Sequence, residues 1–391
     1  MPAENKKRIL IFSTAHLPLR GGAEVAVNNI TGKISDFEFD LITAKIQPDL
    51  LCYERIGNIS VYRIGKGKNL DKKLLPFFGL IKALRLNRKN HYQIVWSIMA
   101  SYGGFAGLFY KILQPRTKFL LTLQEGDDLA YIKKRVGIFY FLFRQIFVRA
   151  DYIQAISNFL AAWGKSMGAK CPIEVVPNAA GFDEGSFLIN RKENHDKKIE
   201  RNIITVSRLV KKNGIEYLIK AMPNINAQTK LIIVGDGELR EELEELSFNL
   251  GLMKTVGSID LEDRVIFLGD LDKPYDIAVQ LSQADVFVRP SLSEGLGNAF
   301  LEAMYMKVPV IATPVGGIPD FLKDDETGWF CEVKDPKNIA EKINYILSEE
   351  NKAEVARVVE NAHKLVVEKY NWDRIAGEMK NIFNKLTNGQ E

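Results

Sequence analysis

The chain has 391 residues, 46% of them hydrophobic and 26% charged, which fits a soluble globular protein of two domains. Three scattered cysteines, Cys52, Cys171 and Cys331, and four dispersed histidines exclude a disulfide scaffold and a Cys/His metal cluster, and point to a reducing compartment. No apolar run reaches the length of a membrane span and the first residues lack a signal-peptide core, so a cytoplasmic location is expected. The net charge of +4 hides an asymmetry. Residues 1–185 carry 26 Lys+Arg against 15 Asp+Glu, or +11, and residues 186–391 carry 27 against 34, or −7. A basic first half suggests an anionic partner there.

In chain order, residues 8–13 read as a buried strand, and Gly21-Gly22-Ala23-Glu24 opens a helix running to about residue 34. Apolar runs recur at 37–43, 59–64, 93–98, 118–123, 152–156 and 173–176, separated by helix-length segments. Continuous Val/Ile/Leu/Phe runs alternating with helices predict a parallel sheet covered on both faces. Between them, residues 74–90 and 131–149 mix Leu, Phe and Ile with Lys and Arg. Such helices either lie in a membrane interface or bury their apolar faces in the core, and burial is the first expectation for 131–149.

The alternation stops after Pro177-Asn178-Ala179-Ala180-Gly181, and polar residues 186–200 read as a linker. A second alternation follows, with strands at 202–207, 231–235, 264–268, 284–290 and 308–313 and helices at 238–250, 336–347, 353–368 and 373–386. The expected fold class is α/β, with two doubly wound Rossmann-like domains at 1–185 and 201–370 and a terminal helix within 371–391. Ligands of such sheets bind beyond the strand carboxyl ends.

The most informative segment is Ser293-Glu294-Gly295-Leu296-Gly297-Asn298-Ala299-Phe300-Leu301-Glu302. It leaves a strand, turns through two glycines and enters a helix. Gly295 and Gly297 let backbone amides approach a ligand, and the helix start favours phosphate. Glu294 stands in the loop, and Glu302 lies in the helix within reach of a sugar hydroxyl. Gly21 and Gly22 repeat the strand–glycine–helix design more weakly. Arg208 and Lys212 follow the first strand of the second alternation, where cations neutralise a diphosphate leaving group. Thr313-Pro314-Val315-Gly316-Gly317 is a further strand-end loop.

Taken together and in this order, these motifs resemble the retaining glycosyltransferases of family 4, also called glycosyl transferases group 1, which have the GT-B fold. The resemblance covers nearly the whole chain. It includes Ala155-Ile156-Ser157, Val176-Pro177-Asn178, Gly316-Gly317-Ile318-Pro319 and Trp372. It implies two Rossmann-like domains facing across a cleft and a last helix crossing back to the first. It implies a nucleotide-sugar donor, retention of configuration, no cofactor and no metal, with Glu294 on the donor sugar, Glu302 on the ribose, and Arg208 and Lys212 on the diphosphate. Amides near Gly22 and at Gly295, Leu296, Gly297 and Asn298 assist. The acceptor is expected to be a glycan, a lipid-linked sugar or a small molecule in envelope glycan or glycolipid synthesis. No nucleic-acid partner is expected. An anionic membrane surface is a further expected partner of the basic first half, making the protein peripheral on that membrane.

The chain departs from the family at several points, among them Asp320 where glutamate is common and Ser207 where glycine is. Gln124 replaces a histidine common after the 118–123 strand; it can hydrogen-bond a sugar hydroxyl but cannot give up a proton as histidine does. The phosphate lysine usually stands five places after the arginine, where this chain has Asn213. Asp127-Asp128 and Asp324-Asp325 invite a metal reading, although Arg208 and Lys212 supply the same neutralisation. The alternative functions are a nucleotide-sugar epimerase or phosphorylase of the same fold and a non-catalytic sugar-nucleotide-binding subunit. A nicotinamide dehydrogenase is disfavoured by the missing three-glycine fingerprint.

Overall fold

The computed structural model describes residues 6–19, 21–180, 200–271 and 273–388. The expected linker, 186–200, therefore lies outside the described residues except for Glu200. Two compact units emerge. The first comprises Met1–Glu125, Leu129–Asn178 and Trp372–Glu391, and the second Gly126–Asp128 and Ala179–Asn371.

In the first unit the chain forms β1 (Lys7–Phe12), α1 (Gly22–Lys33), β2 (Phe37–Ala44), β3 (Tyr53–Ile56), β4 (Ile59–Ile64), α2 (Leu70–Asn90), β5 (Ile94–Ile98) and α3 (Tyr102–Leu113). It continues through β6 (Lys118–Leu123), α4 (Leu129–Val136), α5 (Tyr140–Val148), β7 (Tyr152–Ala155), α6 (Asn158–Ser166) and β8 (Ile173–Val175). The sheet order is β3-β4-β2-β1-β5-β6-β7-β8. All neighbours are parallel except β3, which pairs antiparallel with β4. The central strands β1, β5 and β6 are almost wholly buried, as two-sided cover by helices requires.

A buried polar chain crosses three of these strands. Trp96 Nε1 donates to Thr122 Oγ1 at 2.7 Å, Thr122 meets Gln154 Oε1 at 2.7 Å, and Gln154 Nε2 donates to the Val176 carbonyl. Each member gains the partner that its burial demands. The chain fixes the carboxyl ends of β5, β6 and β7 relative to residues 176–178.

In the second unit come β9 (Arg201–Val206), α7 (Ile215–Ala221), β10 (Thr229–Val234), α8 (Arg240–Asn249), β11 (Val265–Gly269), α9 (Pro274–Ser282), β12 (Val286–Arg289), α10 (Asn298–Tyr305), β13 (Val310–Ala312), β14 (Trp329–Phe330), α11 (Pro336–Leu347) and α12 (Lys352–Lys369). Here every pair in the order β11-β10-β9-β12-β13-β14 is parallel. The order reverses direction at β9, whose neighbours are β10 and β12, so the loops leaving β9 and β12 emerge side by side at a topological switch point.

The last helix, α13 (Trp372–Asn388), belongs to the first unit. Phe383 packs its ring against Trp96, Phe37 and Phe39 at centroid distances of 5.3, 5.6 and 6.2 Å. Lys33 of α1 pairs with Asp373 at 2.8 Å. This helix completes one face of the first sheet after the chain has built the whole second unit.

Candidate active site

The switch point of the second unit gathers most of the residues singled out in the sequence. The loop leaving β9 and the loop leaving β12 are joined by backbone: the Leu292 amide donates to the Lys212 carbonyl at 2.6 Å. Asn213 is buried, and its Nδ2 donates to the Arg208 carbonyl at 2.6 Å. Asn213 thus shapes the turn from within. The Arg208 side chain is exposed, and among the described residues it has no ion-pair partner. Lys212 is half-buried and pairs with Asp127 at 3.2 Å. A side chain on Gly126 would come within 2.7 Å of Lys212 Nζ and 3.5 Å of Glu294 Oε1, so the lysine ammonium and the Glu294 carboxylate border the same small space.

Glu294 is held in place from three sides. Its Oε2 accepts a 2.6 Å bond from the Arg289 guanidinium, and its Oε1 accepts from the Gly295 amide at 3.1 Å. Its carbonyl accepts from the Gly317 amide at 3.1 Å, and Gly316, at φ +59°, packs directly on it. A Cβ at Gly316 would overlap that carbonyl, which explains the glycine at this position of the 313–317 loop. Gly297, at φ +89°, precedes α10 with no side-chain cap. A Cβ there would meet the Arg289 guanidinium at 2.6 Å.

Arg289 ends β12 and is only 6% exposed. Besides Glu294, its guanidinium donates to the Val206 carbonyl at 3.2 Å and lies 4.2 Å from the centroid of the Phe300 ring. Burial lowers its pKa, while the charges of Glu294 and Glu302 act in the opposite direction. The sequence reading placed Arg289 in an apolar strand and assigned it nothing. The signal was there: a cation closing an otherwise apolar buried strand must find a counterion close by.

Of the remaining candidates, Leu296 is buried and contributes backbone alone, and Glu302 lies on α10 close enough to influence Arg289. The first unit holds the others. Gly21 is the N-cap residue of α1 and no side-chain hydrogen bond caps that helix. The Glu24 carboxylate occupies the place where a Gly21 side chain would stand, so Glu24 lies back over the helix start. Gln124 Oε1 accepts from Asn178 Nδ2 at 3.2 Å, which leaves its amide nitrogen to donate. Glu125 is buried, and its Oε1 accepts from the Ala100 amide.

Among the described residues no group of three His, Cys, Asp or Glu side chains could hold a metal ion. Asp127 faces Lys212, and Asp324 accepts from the Phe330 amide at 2.7 Å, tying a turn. Both aspartate pairs therefore have a member with a protein partner.

The chemistry available at this edge is anion recognition by two cations and a helix start, next to an oriented carboxylate. Known proteins similar to this chain include glycosyltransferases. Residues 187–365 match the family described as Glycosyl transferases group 1. The chain is 38% identical to the uncharacterized glycosyltransferase MJ1607 of Methanocaldococcus jannaschii over 47% of this chain and 45% of that protein. It is 26% identical to MJ1069 of the same organism over 98% of this chain and all of that one. It is 32% identical to the N-acetyl-alpha-D-glucosaminyl L-malate synthase of Bacillus anthracis, over 49% of this chain and 48% of the relative. The matches to MJ1607 and the malate synthase thus span about half of each relative's length.

Among solved structures, sucrose-phosphate synthase of Thermosynechococcus elongatus superposes with a TM-score of 0.80 at 22% identity, covering 98% of this chain and 100% of that one. Anabaena HepE, solved in complex with UDP and glucose, gives 0.75 at 18% identity over 97% and 100%. These likenesses identify the architecture as GT-B, two Rossmann-like units in one chain. The match to the glycosyl transferases group 1 family spans almost all of the second unit, and the chain is similar to that family there.

Proposed function

We propose that the chain transfers a sugar from a nucleotide-sugar donor to an acceptor hydroxyl, with retention of anomeric configuration and without a metal ion, in the synthesis of an envelope glycan or glycolipid. The observation that carries this reading is the convergence of Arg208, Lys212, the uncapped start of α10 and the clamped Glu294 carboxylate at one switch point. That several relatives are named for polysaccharide or glycolipid synthesis supports the choice of acceptor class.

In this reading the diphosphate of the donor lies against Arg208, Lys212 and the amides of Leu296, Gly297 and Asn298. As the bond from the anomeric carbon to the phosphate oxygen breaks, negative charge grows on the leaving group, and the two cations and the helix dipole stabilise it. Lys212 exchanges Asp127 for the phosphate. Glu294 stands beside the electron-poor anomeric centre, with its orientation set by Arg289, and Glu302 binds the ribose hydroxyls. The acceptor oxygen bonds to the anomeric carbon on the face the leaving group vacates, and its proton passes to the departing phosphate oxygen.

The test is product analysis. The protein is incubated with UDP-, GDP- and ADP-sugars, with and without acceptor extracts, and anomeric protons are followed by NMR. The reading expects nucleoside diphosphate and a retained glycoside. It also expects Glu294→Gln to lower turnover by at least about 100-fold in a protein that still folds, with a lowered melting point because Arg289 loses its counterion. An epimerised sugar nucleotide formed without acceptor, or full turnover by a folded Glu294→Gln protein, would overturn it.

A further inference from the structure

The first unit exposes an apolar surface that its own core does not cover. Helix α4 fully buries no residue: Leu129, Ile132 and Val136 are half-buried and the rest of the helix is exposed. Just beyond it, Ile138 is 92% exposed, Phe139 62% and Phe141 75%. The inward positions of α5 are already taken: Phe143 and Phe147 pack on Trp163 at 6.3 and 5.0 Å, and Phe143 also meets Phe105 at 6.2 Å. The outer aromatic side chains therefore have no place to go within the unit.

Charge follows the same surface. Residues 129–150 hold five cations, Lys133, Lys134, Arg135, Arg144 and Arg149, and no carboxylate. The neighbouring α2 is joined to this layer through α3, by Phe77 on Phe109 at 6.0 Å and Phe109 on Phe105 at 6.4 Å. It exposes Phe77, Phe78 and Ile81 and carries six cations against one carboxylate, Asp71. Asp71 is buried and consumed by the amides of Lys66, Gly67 and Lys68. Among the described residues, no ion pair joins any of these cations to a carboxylate. No helix among the described residues is long and apolar enough to cross a membrane.

We propose that this α2/α4–α5 face docks on an anionic lipid bilayer, with Ile138, Phe139 and Phe141 entering the headgroup boundary and the lysines and arginines meeting lipid phosphates. Interleaved aromatic side chains and cations without acids match such an interface. A second copy of the same face would set cation against cation, so the complementary surface is anionic. The sequence reading expected 131–149 to bury its apolar face; within it Ile138, Phe139 and Phe141 stay exposed.

The experiment uses the full chain and sedimentation with vesicles of neutral phosphatidylcholine, or of phosphatidylcholine with about 30% phosphatidylglycerol, at low and high salt. The proposal expects pelleting with the anionic vesicles at low salt and at least about tenfold weaker partitioning in high salt or on neutral vesicles. Ile138→Asp/Phe141→Asp and Lys133→Glu/Lys134→Glu are each expected to reduce partitioning at least about tenfold. All these positions are exposed, so circular dichroism, melting and nucleoside-diphosphate binding should match the unsubstituted chain. That last control separates failure here from failure of the transferase reading. Absence from anionic pellets, or variants that pellet normally, would overturn the proposal. So would vesicle-free light scattering showing that the face holds two copies together.

Discussion

Replacing Arg289 by methionine tests the internal frame of the site. The guanidinium and the Glu294 carboxylate approach to 2.6 Å, with side chains 7% and 13% exposed. Arg289→Met keeps a long apolar stem over Phe300 but removes the cation and the bond to the Val206 carbonyl. Breaking a buried pair by deleting one partner costs about 3–5 kcal/mol. Glu294 keeps the Gly295 amide and some access to water, so about 2–4 kcal/mol is expected here. For a unit of this size each kcal/mol moves the midpoint by about 2–4 °C, giving a fall of roughly 4–16 °C in the second-unit transition. Differential scanning calorimetry of the whole chain reads this, with the two units' transitions treated separately. Adding Glu294→Gln to Arg289→Met should restore part of the loss, with a coupling of about 1–2 kcal/mol, since the orphaned charge is gone. An Arg289→Met protein melting within 1 °C of wild type, or strict additivity of the two substitutions, would refute the claim that Arg289 positions Glu294.

Other consequences can be checked directly. His16 is buried, neither ring nitrogen has a hydrogen-bond partner among the described residues, and burial, helped by the Arg63 charge, pushes its pKa down to about 4. The unfolded chain then binds more protons than the folded one between about pH 6.5 and 4, so stability falls as pH drops through that window, by about 3 kcal/mol in all. Urea titrations at stepped pH should show this slope, and His16→Leu should flatten it. Gly316→Ala should destabilise the second unit and lower turnover together, because the new methyl overlaps the Glu294 carbonyl at a left-handed φ; a thermal melt paired with the transfer assay reports both. Transfer should survive EDTA, and a loss restored by magnesium or manganese would return the aspartate pairs to consideration.

Most strands were legible because buried parallel strands are written as continuous apolar runs, as in β9, β10 and β12. Strand β3 was not, since a four-residue edge strand of alternating exposure, Tyr53 to Ile56, lacks such a run. The α10 loop was legible through its glycines. Arg289 was missed because a strand pattern hides which polar end groups meet. Asn213 looked like a lost lysine, whereas it is the brace of the Arg208 turn. The basic-apolar helices could not be resolved from periodicity, because whether an apolar face is covered depends on distant neighbours. Here Trp163 and Phe105 fill the inner side of α5, and Ile138, Phe139 and Phe141 are left exposed.

The central claim is that the second unit binds the diphosphate of a sugar nucleotide through Arg208 and Lys212. Isothermal titration of UDP, GDP and ADP into the full chain in EDTA tests it most directly. The account predicts saturable binding of at least one nucleoside diphosphate, weakened by at least about tenfold in Arg208→Ala and by less in Lys212→Ala, whose ammonium already shares Asp127. No heat or stabilisation from any of the three, or equal affinity in wild type and Arg208→Ala, would contradict it.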